Sequence, residues 1–289
     1  CVDNLNQLSA PFGGDATIPL SITAEPGLQV ACRLAENMVI GTYTVGEDGT
    51  LTINIDADQL QDGENMLTLL YTSIDQASGN TPVEVCVQID RTPPEMQGTT
   101  PEILDQHTGE MDVLLAPGDA LSTVALWVDG MHSGVEATAD SEGKARLTGL
   151  ETLELHSGSN VEIVVTDLAG NESRATVPYQ LSVASLSLTV VPETGGMQTV
   201  FTVSGAAEPN AELKLSYGNG GELTLNAGAD GAYSGTLDAS VLQTGSNEVN
   251  VAYVRVAGET VQGLAGASAQ FQYDGEAPEV QTVSYTHLR

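Results

Sequence analysis

The sequence predicts an all-β chain built as three tandem antiparallel β-sandwiches, and three observations carry that expectation. Short apolar runs alternate with polar residues, as in Val161, Ile163 and Val165 against Glu162 and Thr166, the period-2 pattern of a half-buried strand. Turn residues punctuate these runs, with 31 glycines and 12 prolines spread along the chain. Landmarks also recur in one order. Pro26, Pro117 and Pro209 stand 91 and 92 residues apart, a period too long for a solenoid and suited to a sandwich of about seven short strands.

The most informative stretch is Ser157–Tyr179. Gly158-Ser159-Asn160 is turn chemistry, Asp167-Leu168-Ala169-Gly170-Asn171 is a second turn, and Ala175, Val177 and Tyr179 resume the alternation, so the stretch reads as a hairpin. It recurs on both sides: Gly63-Glu64-Asn65 precedes Leu67, Leu69 and Tyr71, and Gly245-Ser246-Asn247 precedes Val249, Val251 and Tyr253. The middle copy is one residue shorter after Asn160, a difference its turn must absorb because a one-residue slip would reverse every side chain.

In chain order, residues 1–15, with Pro11 and Gly13-Gly14, read as a lead-in or linker. The first sandwich spans 16–92: Ile18–Ile22 is a strand, Glu25-Pro26-Gly27 a turn, Val30–Leu34 a strand, and Asp48-Gly49 a hairpin signal before Leu51, Ile53 and Ile55. Asp90-Arg91-Thr92-Pro93-Pro94 stops its last strand. The middle sandwich, 93–183, carries Pro117-Gly118 and Glu142-Gly143. The third, 184–278, restates the first, with Glu208-Pro209-Asn210 for Glu25-Pro26-Gly27, Leu213-Lys214-Leu215 for Val30-Ala31-Cys32, and Asp230-Gly231 for Asp48-Gly49. Residues 279–289 read as a linker plus an artefactual tail. Val283–Leu288 resembles an in-frame translation of a transposase mosaic-end adapter, and on that reading the natural protein is expected to continue past Gln281 or Thr282. Cys1 reads as the start of a fragment, because residues 1–10 lack the Ser/Gly tether of a lipid anchor, with the processed N-terminal Cys of a lipoprotein as the alternative reading.

The Gly-x-Asn turns, the Asp-Leu-Ala-Gly-Asn loop with the related Asp75–Asn80, and the Asp-x-x-x-Pro joints at Asp90/Pro94 and Asp274/Pro278 resemble the tandem immunoglobulin-like repeats of large bacterial surface and biofilm-associated adhesins. The resemblance covers nearly the whole chain. It implies a bacterial cell-surface or secreted location, neighbouring repeats as the first partners, and a host or cell-surface glycan or protein as a further one. It also implies calcium as a candidate at the joints, where Asp90 or Asp274 would act with Asp75 or Asp167. One Asp per joint falls short of the six to eight oxygens calcium takes, so no metal or cofactor ligand is assigned.

Charge and composition exclude other classes. Eight Lys and Arg face 39 Asp and Glu, a formal charge of −31, which repels nucleic acid and anionic membranes and reads as a solvated extracellular surface. No run of about eighteen apolar residues exists to span a membrane. His107, His132, His156 and His287 lack metal-ligand spacing. No nucleophile elbow or phosphate-cradling loop is present, so no catalytic residue is assigned and the chain is read as a non-enzyme. Cys32 should face inward and Cys86 outward, and opposite faces cannot meet the geometry of a disulfide.

Trp127, the single tryptophan, sits in Val124-Ala125-Leu126-Trp127-Val128. Alternation would turn it outward, where it could stack on a sugar; the preferred expectation is a core tryptophan, as in many sandwiches. The resulting functional expectation is a spacer or stalk segment projecting a binding domain outside this fragment. The alternative is that one sandwich, the middle one with Trp127, itself binds glycan or protein.

Overall fold

The computed structural model describes residues 2–34, 38–72, 82–192, 200–261 and 266–275. Asp75–Asn80, Pro278, His287 and the 279–289 tail lie outside them, as does Cys1. The chain divides into two compact units, residues 1–180 and 181–289.

The first unit opens with β1 (Thr17–Thr23), β2 (Gln29–Leu34), β3 (Met38–Thr44), β4 (Thr50–Asp56), β5 (Gly63–Thr72) and β6 (Val83–Ile89). It continues with β7 (Met96–Thr100), β8 (Glu110–Leu115), β9 (Thr123–Val128), β10 (Met131–Thr138), β11 (Lys144–Thr148), β12 (Val161–Thr166) and β13 (Glu172–Val177). The second unit holds β14 (Thr189–Pro192), β15 (Val200–Ala206), β16 (Glu212–Tyr217), β17 (Gly221–Asn226), β18 (Ala232–Asp238), β19 (Gly245–Val256), β20 (Glu259–Thr260) and β21 (Ala267–Tyr273).

One topology is built three times. The strand orders β3-β2-β5-β6, β10-β9-β12-β13 and β17-β16-β19-β21 form the larger sheets, and β1-β4, β11-β8-β7 and β14-β15-β18 the smaller ones. Every pairing between these named strands is antiparallel. In immunoglobulin notation the smaller sheet is A-B-E and the larger C′-C-F-G. In the first copy, strand A is the lead-in segment: Val2 bridges Ile22, and Phe12 bridges Ile89 in parallel. In the second, Leu104 bridges Tyr179 in the same parallel sense.

Alternation builds three separate cores. Ile18, Leu20 and Ile53 meet Val30, Leu67 and Val87 in the first. Met111, Val113 and Leu147 meet Leu126 and Ile163 in the second. Phe201, Val203 and Leu237 meet Leu215 and Val251 in the third, where Phe201 and Phe271 lie 4.8 Å apart between centroids. Cys32 is fully buried and Cys86 exposed, both unpaired, as their parity in sequence requires. Register confirms the repeat in detail. Val30 opposes Tyr71 and Cys32 opposes Leu69 in the first copy, and Leu213 opposes Tyr253 and Leu215 opposes Val251 in the third.

Two expectations need correction. Asp48-Gly49 is not a hairpin: it links β3 to β4, which belong to different sheets, and Glu142-Gly143 and Asp230-Gly231 make the same crossing. Its geometry is nonetheless repeated. Gly49, Gly143 and Gly231 have φ of +77°, +80° and +77°, and their carbonyls accept from Ala24, Leu115 and Ala207 N–H. Left-handed backbone at this corner selects glycine. The two-residue Asp-Gly hairpin lies at Asp129-Gly130, between β9 and β10, with φ of +51° and +79°.

The second correction concerns the Gly-x-Asn turn. Asn65 is 4 % exposed; it accepts from Gln61 N–H at 3.0 Å and donates to Gln61 O and Gly63 O. Asn247 repeats all three bonds with Gln243 and Gly245. In the middle copy Ser159 holds that register, accepting from His156 N–H at 3.1 Å. Asn160 instead pairs its backbone with Asp129. The shorter turn absorbs the missing residue, and Val161 and Ile163 still face inward.

Candidate functional site

Among the described residues, polar or aromatic side chains gather on the outer face of the middle sandwich, at the joint at 90–94, on the segments that enter the second and third sandwiches, and in a groove of the third.

Strand alternation sends Val124 and Leu126 into the core and Trp127 outward, so Trp127 is not a core tryptophan. Glu162 on β12 and His132 on β10 lie directly opposite it. The Arg174 guanidinium stands 5.0 Å over the indole ring, and the His132 ring meets its edge at 5.9 Å and 79°. Ala125 and Val164, on the same outward parity, are 8 % and 3 % exposed and form an apolar floor beside this group. Glu136 pairs with His132 at 3.4 Å and Glu172 with Arg174 at 3.3 Å. The result is a half-buried aromatic surface edged by two basic groups on an otherwise acidic chain. The other described histidines, His107 and His156, are exposed on loops.

At the first joint, Asp167 organises its loop. One carboxylate oxygen accepts from Ala169 and Asn171 N–H at 2.8 Å each, and the other accepts from the Asn171 amide. The same amide donates to Asp90 O at 3.0 Å, 81 residues away, and reaches Thr92 O at 3.4 Å. The loop thus closes on the segment joining β6 to β7. Gly13 lies beside it, where a Cβ would stand 2.7 Å from Ala169 O. Arg91 grips the other side, donating to Ala57 O and Leu60 O and pairing with Asp62.

These bonds bear directly on calcium. An Asp90 oxygen accepts from Thr92 N–H, the Asp167 oxygens are spent within their own loop, and Asp90 O and Thr92 O face an amide donor. That donor set does not fit a cation needing six to eight oxygens. Among the described residues no three His, Cys, Asp or Glu side chains converge on a possible metal position.

Segments entering a sandwich are held by an acid from the turn after strand B. Glu95 N–H donates to Asp119 at 2.8 Å in the middle copy. In the third, Ala184 N–H donates to Glu208 at 2.8 Å, and Glu208 is only 4 % exposed. Tyr253 completes that contact: its hydroxyl donates to Ala184 O and accepts from Glu208 N–H, each at 2.8 Å. Burial holds the Tyr253 phenol above its ordinary range. The third sandwich also carries a polar groove of about 340 Å³ beside Ser216, Glu222 and Asn250. Glu222 is engaged there by Lys214 at 2.7 Å.

No protein-family model matches the chain, and no curated protein matches it. Solved structures do. A tetra-tandem repeat in the extending region of a large adhesion protein is 22% identical over 91% of this chain and 73% of its own, with a TM-score of 0.39. A Ca2+-stabilized adhesin that helps an Antarctic bacterium reach out and bind ice is 18% identical over 91% of this chain and 70% of its own, at 0.35. A fragment of a 1.5-MDa bacterial ice-binding adhesin is 16% identical over 92% and 95%, at 0.30.

Sequence reasoning pointed to Trp127, Asp90 and Asp167 as notable residues. It missed Asn171 as a reach across the joint, and it missed the pairing of Glu208 with Tyr253. The latter left a signal: both belong to landmarks already matched between the first and third copies.

Proposed function

We propose that this chain is a structural spacer of a larger bacterial cell-surface or secreted protein of the adhesin type, projecting a binding domain that lies beyond this sequence. On this reading it is three immunoglobulin-like sandwiches, 16–92 with Val2 and Phe12 of the lead-in supplying its strand A, 93–183 and 184–278, with neighbouring repeats as partners and no catalytic role. One observation supports it most: the same sandwich recurs with the same corner bonds, and polar side chains at the joint and entry segments are spent on holding backbone. A spacer needs that economy, because each joint must bear load without a ligand. The acidic surface keeps such a stalk solvated and disfavours side-by-side packing.

Small-angle scattering tests the reading. A compact globule of this length has a radius of gyration of about 19 Å, whereas three sandwiches of roughly 40 Å set end to end give about 35 Å. A value near the compact figure at low salt refutes the spacer. A second reading, that the middle sandwich binds glycan or protein, draws on the outward Trp127 with Arg174 and His132. A glycan array with Trp127→Ala as its control tests that one, and binding that survives the substitution clears Trp127.

A further inference from the structure

The first and third sandwiches share the parts of an entry clasp, but only the third has it closed. In the third, Glu208 and Tyr253 hold Ala184 by its N–H and its carbonyl. Their counterparts in the first are Glu25 and Tyr71, and the equivalence rests on three independent registers. Glu25 and Glu208 each follow an alanine, Ala24 or Ala207, whose N–H donates to the corner glycine carbonyl of Gly49 or Gly231. Each precedes a proline and then a left-handed residue, Gly27 at φ +81° or Asn210 at +58°. Tyr71 opposes Val30 as Tyr253 opposes Leu213, and both of those strand residues stand four positions after the proline.

The two sites differ in the entering segment and in one internal bond. Tyr253 Oη accepts from Glu208 N–H, a bond Tyr71 does not make to Glu25, and the carboxylate that acts on the Tyr71 phenol is that of Asp3, where Glu208 acts on Tyr253. Tyr71 Oη is shielded from solvent and has no hydrogen-bond partner, whereas Tyr253 Oη makes two bonds. Glu25 is exposed, whereas Glu208 is buried where the entering segment lies against it. Strand A of the first sandwich already heads the right way: Val2 bridges Ile22 antiparallel, so the chain before it runs back toward the Glu25 turn. In the third sandwich, Ser187 N–H donates to Ala206 O, one pair further along the same ladder, and Ala184 lies three residues before it. Counted back in that register, the counterpart of Ala184 falls upstream of the first residue of this sequence.

We infer that Glu25 and Tyr71 form a clasp for an extended polypeptide segment entering the first sandwich from a preceding repeat. The carboxylate would take one N–H of that segment and the phenol would donate to the carbonyl of the same residue. A buried phenol without a partner gains most from such an acceptor, and a residue's backbone is the ligand its twin already holds. The middle sandwich uses a shorter device, Asp119 on Glu95 N–H, because Val165 stands where the other two carry tyrosine. This inference deepens the spacer reading by naming its upstream partner, and its assay is thermal, so its outcome is separate from the scattering result.

The test grafts the chain's own entry segment, residues 180–186, ahead of Cys1, which places a second Ala184 in the required register. The graft is expected to raise the lowest melting transition by about 4 °C or more, the effect of a well-formed pair of bonds on a small domain. Tyr71→Phe is expected to leave the ungrafted chain unchanged or slightly more stable, since it removes an unpartnered hydroxyl, and to abolish most of the rise in the grafted chain. Glu25→Ala, at an exposed position, should act in the same direction. Tyr253→Phe serves as the closed-clasp control and should lower stability with or without the graft. A graft that gives no rise, or a rise that persists in the Tyr71→Phe Glu25→Ala double variant, overturns the inference.

Discussion

Replacing Asn65 by alanine should destabilise the first sandwich more than any other single change at a turn. The side chain is buried and makes three bonds, one accepted from Gln61 N–H and two donated to Gln61 O and Gly63 O. Alanine deletes all three and fills none of the space. At about 1 kcal/mol per bond the loss is roughly 3 kcal/mol, with any orphaned backbone group adding to it. If the whole first unit melts together, that corresponds to a fall of about 6 °C or more in its Tm, read by differential scanning calorimetry. Asn65→Asp should be no milder at neutral pH, because it turns a carboxylate oxygen toward two carbonyls in place of an N–H donor. The middle sandwich supplies the controls. Ser159→Ala removes one bond, for about 1 kcal/mol. Asn160→Ala should stay within about 0.5 kcal/mol, because the bond made at that residue uses its backbone N–H. An Asn160→Ala loss equal to that of Asn65→Ala would refute the corner argument.

Other outcomes follow from the same bonds. Cys86 should react with Ellman's reagent in the native protein, whereas Cys32 should react only on unfolding, since burial pushes its thiol up to about 11. Because the folded value lies above the unfolded one, this contribution is complete below about pH 9 and is lost as pH rises toward 11; Cys32→Ala should flatten that alkaline slope. Asn171→Ala removes the amide that reaches Asp90 O and Thr92 O, so trypsin should cut after Arg91 several-fold faster, and an unchanged rate would mean the loop does not guard the joint. Millimolar calcium should leave Tm the same in wild type and Asp90→Ala, since Asp90 already accepts from Thr92 N–H; a shift lost in Asp90→Ala would show a site there.

Whatever depends on near neighbours along the chain was legible before the fold was known. Alternation alone placed Leu20, Ile53, Val161 and Ile163 inside and separated Cys32 from Cys86, because a strand turns each successive side chain to the opposite face. The repeat of Glu-Pro turns and of Val30-Ala31-Cys32 in Leu213-Lys214-Leu215 was equally legible, since those residues answer local backbone demands. Tertiary structure decided the rest. Asp48-Gly49 has the chemistry of a hairpin, yet it crosses between sheets, because the partner of β3 is β2 and that of β4 is β1. Asn171 looks like an ordinary turn residue until its amide meets Asp90 O, and Ser159 takes over the place of asparagine only when the register of β12 against β9 is known. Trp127 could have been counted outward by parity, but Arg174 over its ring comes from a strand nearly fifty residues later. A turn residue is chosen by its own φ and ψ, whereas what its side chain reaches is set by which strands lie across the fold, and that information resides in the packing of distant segments.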